Sequence, residues 1–243
     1  MSTMPECTEH GSEDAIRARY TAAATGREAA LCCPVDYDPQ YLEIIPEDVL
    51  ERDYGCGDPS RYVREGDTVL DLGSGGGKIC FIAAQIVGPK GNVIGVEMNH
   101  AMLALARSAA PIVARRIGFE NVRFVRGRIQ DLALDLDRLE TWLRQHPVHT
   151  VQDLGRLERE TEQIRREFPL VTDQSVDVVV SNCVVNLVAD DDKPRLIREI
   201  FRVLRPGGRI AISDIVSDEP VPRHLIDCCL NNATLSDWGV LWD

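Results

Sequence analysis

A glycine-rich turn between an apolar run and a helix-compatible segment is the feature that most constrains the fold of this chain. The run Thr68-Val-Leu-Asp-Leu is followed by Gly73-Ser-Gly-Gly-Gly77 and then by Lys78-Ile-Cys-Phe-Ile-Ala-Ala. This pattern predicts a strand, a tight turn and a helix N-terminus, which together bring the backbone close to a small polar ligand. About twenty residues further on, a second apolar run ends at Glu97, where a carboxylate suits a ribose diol. We therefore expect a nucleoside ligand.

The spacing of the glycines argues against a dinucleotide ligand. The dinucleotide pattern G-x-G-x-x-G, begun at Gly73, requires glycine where the chain has Lys78, and begun at Gly75 it requires glycine where the chain has Cys80. The spacing Asp71-x-Gly73-x-Gly75 instead resembles motif I of the S-adenosylmethionine-dependent methyltransferases.

Apolar runs alternate with helix-like segments from residue 67 onward, which predicts an α/β fold with a parallel sheet built from βαβ units. We expect strands at residues 68–72, 92–97, 122–125, 176–181 and 209–215. The predicted helices cover residues 77–86, 101–117 and 192–204, and Pro111 is expected to kink the second or to start a new helix. Leucine spacing in the insertion 132–169 predicts two further helices at the ligand-binding edge of the sheet. They are either a lid, an interaction arm or a solvated hairpin that only pads the domain.

Three regions are expected along the chain. Residues 1–60 form an N-terminal helical and loop region that carries thiols, with a helix at 13–30 and Ser12 as its N-cap. Residues 61–218 form the ligand-binding domain, and residues 219–243 form a divergent C-terminal tail.

Composition narrows the partners and the compartment. The net charge of −12 argues against nucleic acid as the main ligand. The acidic N-terminus lacks the apolar core of a secretory signal and no run is long enough to span a membrane, so a cytoplasmic protein without a membrane partner is expected. In a reducing cytosol its eight cysteines should be free thiols. No pair has C-x-x-C spacing, which makes a structural zinc site improbable.

With these strands placed, residues 67–218 resemble the class I methyltransferases, whose Rossmann-like sheet has parallel strands with helices on both faces. More narrowly, the chain resembles the arsenite methyltransferases. The diagnostic segments are Tyr54-Gly-Cys-Gly57 and Ser181-Asn-Cys-Val-Val-Asn-Leu187, whereas Phe201-Arg-Val-Leu-Arg-Pro-Gly-Gly208 and Ser213-Asp-Ile-Val216 are shared more widely. The resemblance implies S-adenosylmethionine as cofactor and methyl transfer to arsenite, presented as a thiol conjugate and supported by a thiol reductant.

The resemblance also implies two sets of site residues. The cofactor set is Asp71, Gly73, Ser74, Gly75, Glu97, Met98, Ile129, Gln130 and Asn182. In that set Glu97 takes the ribose hydroxyls, Met98 packs on the adenine and Asn182 lies beside the reacting methyl. The arsenic set is Cys56, Cys183, Cys33 (or Cys32) and Cys229 (or Cys228). Trivalent arsenic is thiophilic, so thiolates suit it better than oxygen ligands on chemical grounds alone.

The resemblance fades after residue 225, and the remaining residues cannot supply the two last strands of a full class I sheet. The fifth strand would then be an uncovered apolar edge. Two other interpretations therefore stay open. One is a methyltransferase of another small molecule with incidental cysteines. The other is a truncated chain that binds the cofactor, or a partner through the insertion 132–169, without catalysis.

Overall fold

The computed structural model describes residues 35–216, and these contain a five-stranded sheet with helices on both faces. The strands are β1 Thr68–Leu72, β2 Asn92–Glu97, β3 Val122–Arg126, β4 Val176–Asn182 and β5 Leu204–Ser213. The α-helices are α1 Pro39–Leu42, α2 Glu47–Leu50, α3 Lys78–Val87, α4 His100–Ile117, α5 Leu136–Gln145, α6 Val151–Glu167 and α7 Lys193–Val203. Short 3₁₀ turns lie at Pro59–Tyr62, Gly88–Lys90 and Val185–Leu187.

All strand pairs are parallel, and the strand order is β3-β2-β1-β4-β5. The central strand β1 pairs with β2 from Thr68 opposite Asn92, and with β4 up to Leu72 opposite Ser181. The predicted parallel α/β sheet is confirmed. The chain leaves β1 toward β2 on one side, whereas β4 lies on the other side of β1. The loops that follow β1 and β4 therefore run in opposite directions, and a crevice opens between them at the carboxyl ends of the strands, where open α/β sheets bind ligands.

Two apolar cores hold the helices to the sheet. Alternate strand residues such as Val69 and Val178 pack with α3 and α4 on one face. Their neighbours such as Leu70 and Val179 pack with Leu196 and other residues of α7 on the opposite face. Strands covered on both faces are apolar at most positions, which explains the β-branched valines at positions 176 and 178–180 of β4.

The fifth strand differs from the prediction of residues 209–215, because it begins at Leu204 and ends at Ser213. Its pairing with β4 is irregular: Val176 lies opposite Leu204, whereas Val178 lies opposite Arg209. The extra residues, which include Pro206 and two glycines, are accommodated as a bulge. Among the described residues β5 is an edge strand, and the side chains of Ile210 and Ile212 are about two-fifths exposed. The predicted absence of two further strands involves residues 217–243, which lie outside the described part.

Pro111 does not start a new helix, since α4 runs without interruption from His100 to Ile117. Its ring is exposed, while Ala109 and Val113 on either side of it are buried in the core. The buried face of the helix therefore stays packed against the core on both sides of the proline. This packing compensates for the backbone hydrogen bond that proline cannot donate.

The insertion between β3 and β4 forms the two predicted helices, α5 and α6. Thr150 and Asp153 form a capping box that starts α6. An ion pair between Arg126 at the end of β3 and Glu140 on α5 attaches the hairpin to the sheet. Its predicted role as a lid or interaction arm stays a prediction.

The predicted helix at 13–30 lies outside the described residues, as do Cys7, Cys32, Cys33, Cys228 and Cys229. Cys80 lies inside them and is fully buried. The boundaries of the three expected regions also stay predictions. Within residues 35–216 no helix is both long and apolar enough to cross a membrane.

Gly95 offers a test of the packing between β2 and β3. A Cβ at this position would lie 2.6 Å from Phe124 Cδ1 and 2.8 Å from Ser74 Oγ. We expect Gly95→Ala to lower the free energy of unfolding by about 1–3 kcal/mol, since a fully packed sheet face has no room for a methyl group. Urea unfolding measures the change.

Gly155 on α6 is the matched control, because a Cβ there would meet only Arg159 Nη1 at 3.6 Å. Gly155→Ala should raise stability by about 0.5–1 kcal/mol, the usual gain from alanine in a helix interior. Equal effects of the two substitutions would contradict this account of the sheet packing.

Candidate functional site

A cavity opens at the carboxyl ends of β1, β2 and β4, at the crevice created by the strand order. It encloses about 1180 Å³ including its open mouth. Its walls are the glycine-rich turn, the strand ends, the loop after β3 and the segment 52–55 that precedes β1. Every residue of the predicted cofactor set lines it: Asp71, Gly73, Ser74, Gly75, Glu97, Met98, Ile129, Gln130 and Asn182.

The glycine-rich turn is held down on the neighbouring strand. The amides of Gly73 and Ser74 both donate to Val96 O, at 2.9 and 3.0 Å. Gly73 has a φ of +69°, and a Cβ on it would lie 2.5 Å from Val184 Cγ1. Only glycine meets both requirements. Ser74 contributes to the cavity wall with its backbone, because its hydroxyl is buried against Gly95 and has no hydrogen-bond partner among residues 35–216.

Glu97 presents a partly buried carboxylate at the end of β2. Its Oε2 accepts a hydrogen bond from the Gly75 amide at 2.9 Å, and its Oε1 accepts one from the Asn99 amide at 2.6 Å. Burial raises the pKa of Glu97, and these amides partly offset the rise. The Met98 amide contributes as well, and a carboxylate offers about four acceptor sites, so some acceptor capacity remains for a diol.

Asp71 is a second carboxylate of the cavity, and only 2% of its surface is exposed. Burial raises the pKa of Asp71 to about 7, the Cys80 thiol that donates to Oδ2 at 3.2 Å lowers it, and the charge of Glu97 raises it. Cys80 lies on the first turn of α3 and has no path to the cavity mouth, since it is completely buried. A carboxylate kept in so unfavourable a setting is typical of a functional site.

Cys56 and Cys183 lie next to each other at the carboxyl end of β4, although they are 127 residues apart in the sequence. They form a disulfide with their Cα atoms 5.9 Å apart. The expectation that all cysteines are free thiols is therefore wrong for this pair. The reason is geometric: the loop 54–57 folds back over the end of β4, which places both side chains within bonding distance. Cys183 has a φ of +57°, a strained conformation for a residue with a side chain, and such outliers cluster at functional sites.

The glycines on either side of Cys56 permit this approach. A Cβ on Gly55 would collide with the Asn182 amide, and one on Gly57 would collide with the Ser213 hydroxyl. The Tyr-Gly-Cys-Gly segment thus lies directly on the ends of β4 and β5.

The Asn182 side chain reaches this loop as well as lining the cavity. Its Oδ1 accepts hydrogen bonds from the Cys56 and Gly57 amides, and its Nδ2 donates to Gly57 O. The sequence interpretation placed Asn182 beside the reacting methyl and did not foresee these bonds.

Two further residues of the site were missed from the sequence. Tyr37 is buried and its hydroxyl donates to Gly57 O at 2.9 Å. The second is Lys78, whose Nζ lies 3.7 Å from the centre of the Tyr37 ring. Its ammonium also forms an ion pair with the Asp53 carboxylate at 2.8 Å. No local signal marks Tyr37, because it joins the site only through the tertiary fold.

The fold and the site together define a methyltransferase domain. The family model described as "Methyltransferase domain" matches residues 64–167 and 152–241, and the chain belongs to this family.

Within that class the chain is similar to arsenite methyltransferases, as the sequence segments predicted. It is 36% identical to the arsenite methyltransferase of Aquipseudomonas alcaligenes over 203 residues, which cover 82% of this chain and 48% of that protein. It is 31% identical to the human arsenite methyltransferase over 186 residues, covering 76% of this chain and 40% of the relative.

A solved structure supports the same likeness. The arsenic(III) S-adenosylmethionine methyltransferase of Chlamydomonas reinhardtii superimposes with a TM-score of 0.63 at 32% identity, covering 84% of this chain and 57% of that one. The chain spans less than half the length of the curated relatives it matches.

The raised pKa of Asp71 predicts how stability depends on pH. Between about pH 4 and pH 7 the folded chain binds a proton at Asp71 that the unfolded chain has released, so stability should fall as pH rises through this window. The full effect is about 4 kcal/mol. We expect Asp71→Asn to flatten the pH profile of the urea midpoint over this window.

Glu97 also has a raised pKa and contributes a slope of the same sign, so some pH dependence should remain in Asp71→Asn. The double variant Asp71→Asn, Glu97→Gln should lose most of it. A profile that is identical in wild type and Asp71→Asn would show that Asp71 ionises normally in the folded chain.

Proposed function

We propose that this chain is the cofactor-binding and thiol-bearing part of an S-adenosylmethionine-dependent arsenite methyltransferase. The observation that carries the proposal is the Cys56–Cys183 pair, of which Cys183 lines the cavity that contains the glycine turn and Glu97. The similarity to arsenite methyltransferases supports the same substrate.

The residues of the cavity fit S-adenosylmethionine. Gly73 leaves room where a side chain would collide with Val184, and Glu97 keeps acceptor sites for the ribose hydroxyls. Met98, Ile129 and Gln130 provide a largely apolar wall on the side of β2 and β3, which suits an adenine ring. When bound, the cofactor supplies an electrophilic methyl group on a sulfonium sulfur.

The cysteine pair suits trivalent arsenic. Each cysteine thiol replaces one hydroxide of arsenite: a sulfur–arsenic bond forms, an arsenic–oxygen bond breaks, and the hydroxide leaves as water with the thiol proton. The soft sulfur ligands bind arsenic more strongly than oxygen ligands do, and they leave its lone pair available as the nucleophile. The protein therefore needs no general base at the arsenic atom. Its contribution is to place the substrate and the methyl donor against each other and to exclude water.

The disulfide requires a reduction step before arsenic can bind. An external thiol reductant donates two electrons, and with two protons the Cys56–Cys183 bond becomes two thiols. A thiol reductant is accordingly part of the proposed function.

A third sulfur ligand must come from elsewhere. Within residues 35–216 no cluster of three or more His, Cys, Asp or Glu side chains is arranged to hold a metal ion. Cys33 or Cys32 and Cys229 or Cys228 stay candidates from the sequence, and a small thiol bound to arsenite is the other source.

The role of the cysteine pair can be tested with Cys183→Ser in the full chain. We expect this variant to lose arsenite-dependent formation of S-adenosylhomocysteine, because a hydroxyl does not replace a thiolate as an arsenic ligand. Its affinity for S-adenosylmethionine in calorimetry should stay within about twofold of wild type, because the cavity walls are otherwise intact.

Cys7→Ser is the control for simple loss of a thiol, since Cys7 belongs to neither predicted set of site residues. Loss of cofactor affinity together with activity in Cys183→Ser would contradict the arsenic-ligand role. Wild-type chain that binds S-adenosylmethionine but shows no response to arsenite would instead indicate another small-molecule substrate.

The ribose assignment predicts the effect of Glu97→Ala. Removing a charged acceptor from a buried site should weaken S-adenosylmethionine binding by about tenfold to a hundredfold. Isothermal titration calorimetry gives the dissociation constant. Glu158→Ala on the exposed side of α6 removes the same charge far from the cavity and should leave it unchanged. Unaltered affinity in Glu97→Ala would refute the assignment.

A further inference from the structure

We propose that Asn182 is a positioning residue whose side-chain amide holds the Cys56 loop against Cys183, so that the two sulfurs face one substrate. This rests on the proposed function for its purpose, although the geometry can be tested without arsenic. It also changes the role expected for Asn182, from a cofactor contact to an anchor of the thiol loop.

The anchor consists of hydrogen bonds to both sides of the loop backbone. Asn182 Oδ1 accepts from the Cys56 amide at 2.9 Å and from the Gly57 amide at 3.1 Å. Asn182 Nδ2 donates to Gly57 O at 2.7 Å. The loop therefore cannot shift along β4 or lift away from it without breaking several of these bonds.

Most of the hydrogen-bonding capacity of the amide is directed to the loop. An asparagine side chain donates two hydrogen bonds and accepts two. Both acceptor positions of Oδ1 are taken by the Cys56 and Gly57 amides, and Nδ2 lies 2.7 Å from Gly57 O and 3.3 Å from the Tyr37 hydroxyl. These contacts favour the anchoring role.

Tyr37 reinforces the same point of the loop. Its hydroxyl donates to Gly57 O at 2.9 Å, so this carbonyl receives two hydrogen bonds. Burial raises the pKa of Tyr37 above its ordinary value, which keeps the hydroxyl protonated and able to donate.

The chain connects the anchor directly to the second cysteine. Asn182 is the last residue of β4 and Cys183 follows it, with its amide bonded to Ser213 O at 2.8 Å on the neighbouring strand β5. The loop is thus fixed to the residue before Cys183, and Cys183 is fixed to the sheet. The separation of the two sulfurs depends on these bonds and on the fit of Gly55 against the asparagine amide.

The first test measures how close the two cysteines are held, with no arsenic present. The Cys56–Cys183 disulfide is equilibrated with buffers of reduced and oxidised glutathione, the thiols are trapped by alkylation, and the oxidised fraction of this pair is read by peptide mass spectrometry. In Asn182→Ala the equilibrium constant for disulfide formation should fall at least about tenfold, the equivalent of one to two lost hydrogen bonds. Asn182→Asp keeps acceptors for the two amides but cannot donate to Gly57 O, so its value should lie between those of wild type and Asn182→Ala.

If Asn182 only stabilised the fold, its replacement would lower the stability of the chain without changing the disulfide equilibrium. Asn121→Ala is the control for such a general loss of stability. Asn121 is also buried, and its Nδ2 donates to Ala84 O and Gly88 O, at 3.0 Å each, far from the thiol loop. Its replacement should lower the urea midpoint yet leave the disulfide equilibrium unchanged. Tyr37→Phe removes a single bond to the loop and should reduce the equilibrium constant by about twofold to tenfold. It provides a milder test should Asn182→Ala fold poorly.

Binding of phenylarsine oxide to the reduced chain is the second readout, because this arsenical bridges two neighbouring thiols. Its affinity should fall in Asn182→Ala in parallel with the disulfide equilibrium. A disulfide equilibrium equal to that of wild type in Asn182→Ala would overturn the proposal. Failure of the wild-type chain to bind arsenicals, with the disulfide equilibrium still shifted by Asn182→Ala, would refute the proposed function and leave the anchoring role established.

Discussion

The structure depends on the parallel pairing of β1 with both β2 and β4. This pairing brings the ends of three strands to one edge of the sheet, and with them Asp71, Glu97 and Asn182. The chain leaves β1 toward β2 on one side and reaches β4 on the other, so the loops diverge and open the crevice. The same edge then serves two purposes. The glycine turn and Glu97 face the cavity, while the end of β4 receives the thiol loop.

The site holds polar groups in an unfavourable setting, and the structure compensates for each in a different way. Glu97 accepts backbone amides, Asp71 accepts a thiol hydrogen and no other hydrogen bond from residues 35–216, and Asn182 bonds to the loop that it holds. The least compensated group is Asp71, whose pKa is raised to about 7. Groups that cost stability are retained where they serve binding or catalysis, which agrees with the position of Asp71 in the cavity wall.

The sequence was sufficient for features that depend on local pattern. The glycine spacing located the turn, the β-branched run of residues 176–181 located β4, and leucine spacing located the two inserted helices. Long-range features were harder. The early start of β5 depends on a bulge against β4, and the meeting of Cys56 with Cys183 depends on a loop that crosses the sheet edge.

Hydrogen-bond destinations were the least predictable part of the site. The sequence places Asn182 at a strand end beside the expected cofactor, and the amide of an asparagine in that position can face the ligand or the neighbouring loop equally well. Only the tertiary structure shows that Tyr37, distant in the chain, occupies one of its donors. The predicted cofactor set was nevertheless correct as a set of cavity-lining residues, because strand ends and the turns after them must border the crevice.

The disulfide has a practical consequence for handling the protein. The two cysteines are 127 residues apart in sequence, so the disulfide closes a long loop in the unfolded chain. In the chain-entropy model, a loop of this length raises the free energy of unfolding by roughly 5 kcal/mol. The oxidised chain should therefore tolerate heat and denaturant better than the reduced chain. Purification without reductant, or any screen that ranks preparations by melting temperature, will favour the form whose sulfurs are already bonded to each other. The most robust sample of this protein is the one least able to capture a thiophilic substrate.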